Sequence, residues 1–372
     1  MKKIRVNMLS MADKVDGQGV GSAYKELVQL LRKDGKNDFE VQINKGTASS
    51  DIIHAHTIEP RNYMKMLFTK KPTIAYVHFL PNTLDGSIKL PKISSFVLNK
   101  YVIWFYKNAD HLVVVNPSFK KQMVNLGLDE NKIKYIPNFV SKKDFYKKDK
   151  KEINEIRKEY GLKSKDFVVL GCGQVQTRKG VLDFIDVAKK LPDIQFVWAG
   201  GFSFGKITDG HKKLAKIMEN PPKNVKFIGI IPREKMNDIY NMADLLFVPS
   251  YNELFPMTIL EATATETPIF LRDLDLYNEI LFGEKYLRAN DNKSFVKVID
   301  EISKDKNKYN KEVENAKFIA SYYSEKRVYD MWKEYYTQVL EDNKKAKLDK
   351  KNRRRKRIAK IFNLKNNKEV LI

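Results

Sequence analysis

The sequence predicts an α/β protein built from two doubly wound domains. Three observations carry this reading: short apolar runs alternate with amphipathic helical stretches, one strongly charged segment interrupts the alternation, and the alternation then restarts. With 372 residues, 42% of them hydrophobic, the chain is too long for one ordinary core and too apolar for disorder throughout.

The strand-like runs of the first half are residues 4–9, 51–56, 73–78, 111–116 and 134–137, with helical patterns at 20–31 and 118–126. Runs apolar on both faces fit a parallel sheet covered by helices on each side. The charged stretch 141–157 breaks the pattern. Strand-like runs resume at 166–171, 195–199, 225–229, 245–249 and 268–271, separated by helical patterns at 180–190, 233–242 and 257–264. The expected division is a first domain over 1–145, a second over 146–342 whose last helix returns to the first, and a basic tail over 343–372.

The net charge is +23, which calls for an anionic partner: nucleic acid, anionic lipid or a phosphorylated substrate. Thirteen Lys or Arg between Lys344 and Lys368 stand against one acid, Asp349, so about half the surplus is terminal. Cys172 is the single cysteine, which rules out an internal disulfide or a thiolate metal cluster. The start Met1-Lys2-Lys3 reaches Asp13-Lys14 too soon for a signal-peptide core, and no apolar run approaches the roughly 18 residues of a membrane span. A cytoplasmic protein is expected.

In doubly wound sheets ligands bind beyond the carboxyl ends of the strands, so the loops there come first. The strand-like run 245–249 is followed by Asn252-Glu253-Leu254-Phe255-Pro256-Met257-Thr258-Ile259-Leu260-Glu261. Pro256 suits a helix start, where free N–H groups favour a phosphate. Glu253 precedes the helix and Glu261 lies about one and a half turns inside it, so the two carboxylates can reach different parts of one ligand. The same spacing fits a helix capped by one acid with another on its face. A second loop, Gly171-Cys172-Gly173-Gln174-Val175-Gln176-Thr177-Arg178-Lys179-Gly180, follows the first strand of the second domain, and its glycines also fit a plain turn. A third, Gly17-Gln18-Gly19-Val20-Gly21, follows the first strand of the chain and is compatible with either a phosphate approach or a turn. His78 ends a fourth strand; His54 and His56 end a fifth.

The Glu-x7-Glu segment and its setting, Ala243-Asp244-Leu245-Leu246-Phe247-Val248-Pro249-Ser250-Tyr251-Asn252-Glu253, resemble the donor site of retaining GT-B glycosyltransferases of family 4. The resemblance implies that Glu253 contacts the transferred sugar and Glu261 the nucleotide ribose, with Phe255, Pro256, Met257 and Thr258 at the donor. Pro256 stands where the family commonly has Gly. The loop 171–180 resembles the family's Gly-Arg-x4-Lys-Gly loop, which implies a diphosphate role for Lys179 beside Gly173. Gln174 replaces the family's Arg, and the adjacent Arg178 could supply that charge. The resemblance also implies that Gly17 and Gly19 face the donor phosphate across the cleft and that His78 lies near the reacting sugar. It implies no metal and no cofactor beyond a UDP-hexose donor; Asp273-Leu274-Asp275 has a metal-binding form but falls where the family uses none. Pro137-Asn138-Phe139-Val140 and Glu279 complete the match without catalytic roles.

Residues 90–107 interleave large apolar and aromatic side chains with lysines, which suits either a bilayer interface or an ordinary buried helix. Lys100, Trp104 and Lys107 are the candidate membrane contacts, together with Arg353, Arg354 and Arg355 of the tail. Within family 4, residues 14–20, 77–81, 198–205 and 252–261 look like bacterial glycolipid synthases that add a second hexose to monoglucosyl-diacylglycerol. The expected reaction is retaining transfer of glucose or galactose from UDP onto that lipid, at the inner face of the cell membrane. The rival acceptors are a polysaccharide or wall-polymer precursor. The rival class is a basic nucleic-acid-binding protein, although nucleic acid is not the expected partner.

Overall fold

A computed structural model describes residues 3–11, 19–78, 80, 92–202, 210–253, 255–283 and 285–366, without the side chains of 92–95 and 349–366. Gly17 lies outside the described residues. The first sheet contains β1 (Ile4–Leu9), β2 (Phe39–Ile43), β3 (Ile52–Ala55), β4 (Thr73–Val77), β5 (His111–Val114) and β6 (Ile133–Tyr135). Its helices are α1 (Gly19–Lys33), α2 (Pro60–Phe68), α3 (Lys92–Lys107) and α4 (Pro117–Asn125). After α5 (Lys150–Glu159) the second sheet is built from β7 (Val168–Cys172), β8 (Gln195–Ala199), β9 (Val225–Gly229), β10 (Leu245–Val248), β11 (Ile269–Arg272) and β12 (Leu287–Ala289). Around it run α6 (Val181–Lys190), α7 (His211–Glu219), α8 (Met236–Asn241), α9 (Met257–Ala264), α10 (Asp275–Asn278), α11 (Asn292–Lys304) and α12 (Lys306–Tyr322), and α13 (Glu325–Asn366) closes the described chain.

All named pairings are parallel, in the orders β2-β1-β3-β4-β5-β6 and β12-β11-β10-β7-β8-β9. The winding reverses between β1 and β3 in the first sheet and between β7 and β10 in the second. At such a switch point the flanking connections leave in opposite directions and open a crevice. The loops after β7 and β10 carry the Lys179 and Glu253 segments, so topology alone brings these two stretches together.

Alternation along each strand sorts the core. Val168, Leu170, Val197, Leu246 and Leu271 join an apolar cluster continuous with the first domain. Val169, Phe196, Trp198, Leu245, Phe247 and Phe270 point to the opposite face and meet Val181 and Phe184 of α6 and Phe295 of α11. Gly171 has no room for a side chain: a Cβ there would stand 2.3 Å from the Trp198 ring.

The structure departs from the sequence reading at edges and ends. β2 and β12 are additional strands at the outer edges of the two sheets. In β2, Glu40 faces solvent between the apolar Phe39 and Val41, so no continuous apolar run marks it. The helix expected over 233–242 is instead a 3₁₀ turn, Arg233–Lys235, followed by α8. The basic stretch expected as a tail continues α13 as helix through Asn366. The charged segment 141–157 is also not merely a connection. Buried Arg157 donates to the Met242, Ser164 and Asp166 carbonyls and pairs with Asp244 at 2.7 Å. Asp244 also accepts from the Val168 N–H at 2.7 Å, which fixes α5 to the N-terminal ends of β7 and β10 at the centre of the sheet.

α13 returns to the first domain. Trp332, 1% exposed, lies 5.2 Å from His54, 5.5 Å from Tyr76 and 5.1 Å from Tyr336, ring centre to ring centre. The Tyr336 hydroxyl meets His54 Nδ1 at 2.9 Å, and Lys333 pairs with Asp38 at 2.9 Å. The chain thus crosses between the domains twice, and the Lys142 N–H donates to Glu325 at 3.3 Å, which sets the two crossings side by side.

Candidate active site

Gly180 brings the β7 and β10 loops together. Its φ of 69° is the left-handed conformation glycine adopts freely, and a Cβ there would sit 2.3 Å from the Pro249 carbonyl oxygen. Across this contact the Tyr251 N–H donates to the Arg178 carbonyl at 2.9 Å, and Arg178 Nη1 donates to the Asn252 carbonyl at 2.6 Å. Buried Arg272, at the end of β11, holds the same corner from behind. It donates to the Pro249 carbonyl at 2.9 Å, the Asn290 carbonyl at 2.7 Å and Asp183 at 2.7 Å.

At this corner Lys179 Nζ donates to Glu253 Oε1 at 2.5 Å, and both side chains are largely buried. Burial lowers the Lys179 pKa, opposed by Glu253. Burial by itself would raise Glu253, but Lys179 and Arg178 outweigh it and hold the carboxyl below its ordinary range. An ammonium has three donors, so Lys179 keeps two for an incoming anion while one serves Glu253. Arg178 Nε is buried and has no hydrogen-bond partner among the described residues. The pair is therefore a charged, mostly dry corner with donor capacity to spare.

Glu261 lies on α9 and accepts from Tyr240 Oη at 2.6 Å and from Arg233 Nη1 at 2.9 Å. Arg233 also pairs with Glu26 of α1, in the first domain. Burial pushes Glu26 up to about 7, against the pull of Arg233. Beneath Glu261, burial pushes the Cys172 thiol up to about 12, so it is an inert thiol near neutral pH.

Three residues grouped with the donor contacts in the sequence are placed differently. Phe255 turns its ring onto Tyr323 at 5.1 Å, and Met257 is buried in the core, so each can offer a donor only its backbone. Pro256 is the residue before α9, not part of its first turn, with φ −63° and ψ 129°. This leaves Met257 and Thr258 as the first residues whose N–H groups open the helix. Gly173, with φ 135°, donates its N–H to the Ala199 carbonyl at 2.9 Å. Gln174 accepts from Gln176 at 2.8 Å, and Gly19 is the first residue of α1.

His78 follows β4 and is buried. Its described partners are His56, with ring nitrogens 3.4 Å apart, and Tyr76, at a ring separation of 4.3 Å. With His54 the three imidazoles form a buried stack, His54 to His56 at 4.2 Å and His56 to His78 at 5.6 Å. Burial drives His54 and His78 down to about 3 and His56 well below its ordinary value. The unfolded chain therefore binds more protons than the folded one between about pH 3 and pH 6.5. Stability is expected to fall as pH drops through that window, by up to about 1.4 kcal/mol per pH unit for each histidine. Glu26, raised in the folded state, acts in the opposite sense between about 4.5 and 7, one group against three. Urea unfolding at pH 7.5, 6 and 5 measures the sum, and a flat profile would refute the buried neutral stack.

Sequence comparison places these residues in a family. The Glycosyl transferases group 1 profile matches residues 152–318, and the Glycosyltransferase Family 4 profile matches residues 24–143. An alpha-galactosylglucosyldiacylglycerol synthase of Streptococcus pneumoniae is 46% identical over 338 residues, covering 90% of each chain. The chain is a family 4 glycosyltransferase. A processive diacylglycerol alpha-glucosyltransferase of Acholeplasma laidlawii is 27% identical to this glycosyltransferase over 68% of its chain and 75% of the relative. Among solved structures, Anabaena Alr3699/HepE in complex with UDP and glucose superposes with a TM-score of 0.73 at 16% identity, covering 90% of this chain and 99% of that one. That likeness establishes the shared GT-B architecture.

Arg233 and Arg272, which bind residues of the candidate site, escaped the sequence reading. Arg272 carried a faint signal, a charge closing an otherwise apolar strand. Arg233 carried none, because its partners are 28 and 207 residues away.

Proposed function

We propose that this family 4 enzyme transfers a hexose from a UDP-sugar to monoglucosyl-diacylglycerol at an anionic membrane surface, with retention of anomeric configuration. The observation that carries the donor half is the buried Lys179–Glu253 pair at the switch point of the second sheet. The acceptor half rests on the diacylglycerol glycolipid named for the 46%-identical relative. That name also favours galactose over glucose as the transferred sugar.

In this reading the donor diphosphate lies between Lys179, Arg178 and the first N–H groups of α9, where fixed positive charge meets the charge that develops on departure. Glu253 holds the sugar and Glu261 the ribose. The bond from the anomeric carbon to the diphosphate oxygen breaks, and the acceptor oxygen bonds to that carbon on the same face. The acceptor proton passes to the departing diphosphate. These groups supply the charge stabilisation themselves, and we assign the reaction no metal and no further cofactor.

Two helices of the first domain suit the membrane. α2 exposes Met64, Leu67 and Phe68, spaced to share one helical face, and α3 exposes Phe96, Val97 and Trp104. The helices meet through Tyr63 and Trp104, 4.7 Å apart, and Lys100 lies over the Phe96 ring at 4.4 Å. Exposed aromatic and aliphatic groups beside lysines fit a headgroup layer, each basic residue near the surface adding roughly 1 kcal/mol. Lys107 and the basic half of α13, with Arg353, Arg354 and Arg355, would add to that attraction. Among the described residues no helix is long and apolar enough to cross a membrane. Phe68→Ser with Trp104→Ser is expected to reduce sedimentation with phosphatidylglycerol vesicles at least about tenfold while leaving UDP binding unchanged. Equal sedimentation of the variant would discard this surface.

The function is tested by incubating the protein with UDP-galactose or UDP-glucose and monoglucosyl-diacylglycerol in anionic micelles and weighing the lipid products. A dihexosyl lipid from one donor, absent with Glu253→Ala, supports the reading. UDP binding without lipid product would discard the acceptor, and absence of UDP binding would discard the donor site.

A further inference from the structure

We infer that Arg233 is a positioning residue that ties the ribose carboxylate Glu261 to Glu26 of the first domain, so that donor binding and domain closure reinforce each other. The inference rests on the proposed role of Glu261.

One guanidinium serves two carboxylates from different domains. Nη1 donates to Glu261 Oε1 at 2.9 Å, and Nη2 donates to Glu26. Neither acid is free to take another posture. Glu261 Oε2 is held by Tyr240 at 2.6 Å, and Glu26 Oε2 accepts the Ser141 N–H at 3.2 Å, in the segment that first crosses between the domains. Phe145, farther along that crossing, places its ring 5.2 Å from the guanidinium. Both carboxylates are almost wholly buried, while Arg233 is about a quarter exposed.

Two buried carboxylates share one cation in a poorly solvated place. Burial, Asp144 and Glu261 push Glu26 toward protonation, and Arg233 opposes them. The guanidinium addresses both carboxylates. Its planar fork can address two carboxylates at once, which an ammonium cannot do with the same geometry.

Glu261 has lone pairs left for ribose hydroxyls while Arg233 and Tyr240 fix its rotamer. The arrangement exists only when α1 of the first domain lies against the second. Opening the domains separates Glu26 from Arg233 and loosens Glu261; a bound ribose, by holding Glu261, favours the arrangement in which the link is complete. Coupling of this kind is reciprocal, so Glu26 must influence donor affinity although no donor contact is assigned to it.

The decisive variant is Glu26→Gln. It keeps size and removes a buried charge, so folding should be preserved or improved. Coupling predicts that Glu26→Gln weakens UDP binding by roughly 5–20-fold in calorimetric titration and raises KM for the donor more than it lowers kcat. Arg233→Lys should restore less than half of what Arg233→Met loses. Glu261→Gln is the control for the underlying reading. If Glu261→Gln weakens UDP binding and Glu26→Gln does not, the coupling is wrong and the ribose assignment stands. If Glu261→Gln leaves UDP binding intact, the ribose assignment itself fails, and this inference with it. Glu26→Gln losing UDP affinity only in proportion to lost folded protein, read from its unfolding curve, would also overturn it.

Discussion

Lys179→Met is expected to lower kcat/KM by about 10²–10³ and to destabilise the second domain. The first effect follows from removing a fixed cation beside a departing diphosphate, a change comparable to losing one preorganised transition-state donor. The second follows from what stays behind. Glu253, 6% exposed, would keep Arg178 nearby but lose its ammonium partner at 2.5 Å. Breaking a buried pair from one side typically costs about 3–5 kcal/mol, unless the orphaned acid takes up a proton. Lys179→Met with Glu253→Gln separates the effects, because it removes both charges. The double variant should recover most of the lost stability in urea unfolding and none of the activity. Recovery of activity in the double variant would mean that Lys179 serves only to neutralise Glu253, and the proposed diphosphate role would be abandoned.

The other large effect is expected at Trp332, where α13 packs on the first sheet. Trp332→Ala should cost about 3–5 kcal/mol, the usual range for truncating a fully buried tryptophan. The ring fills the space between His54, Tyr76 and Tyr336, so its loss opens a cavity at the seam between α13 and the first sheet. The histidine stack would then gain access to water, and its pKa values should climb toward the ordinary imidazole range. Loss of the first domain's unfolding transition before that of the second, followed by domain-specific proteolysis, would confirm where the cost falls. A stability loss below 1 kcal/mol would show that α13 docks without that side chain.

The sequence exposed what is local. The two strand–helix alternations were legible because each buried strand is a compact apolar run, and the Glu253 and Lys179 loops because each is one short segment at a strand end. Edge strands were less visible: β2 interrupts its apolar side chains with Glu40, and β12 is three residues long. The side-chain directions of Phe255 and Met257 depend on how α9 rolls against Tyr323 and the core, which no residue spacing encodes. The Glu26–Arg233–Glu261 link depends on two domains meeting. Its members are ordinary charged residues until the fold brings them within one guanidinium's reach.

The paired crossings between the domains have a mechanical consequence. The first crossing and the start of α13 touch at Lys142 and Glu325, and beside them lies a cavity of about 350 Å³ lined in part by Val140, Phe145, Leu260 and Tyr323. Two adjacent straps act like the two leaves of one door hinge. They leave rotation about the line through them nearly free but resist twisting and sliding, so opening and shutting retrace one arc. Two domains held this way return to the same register each time they part and meet.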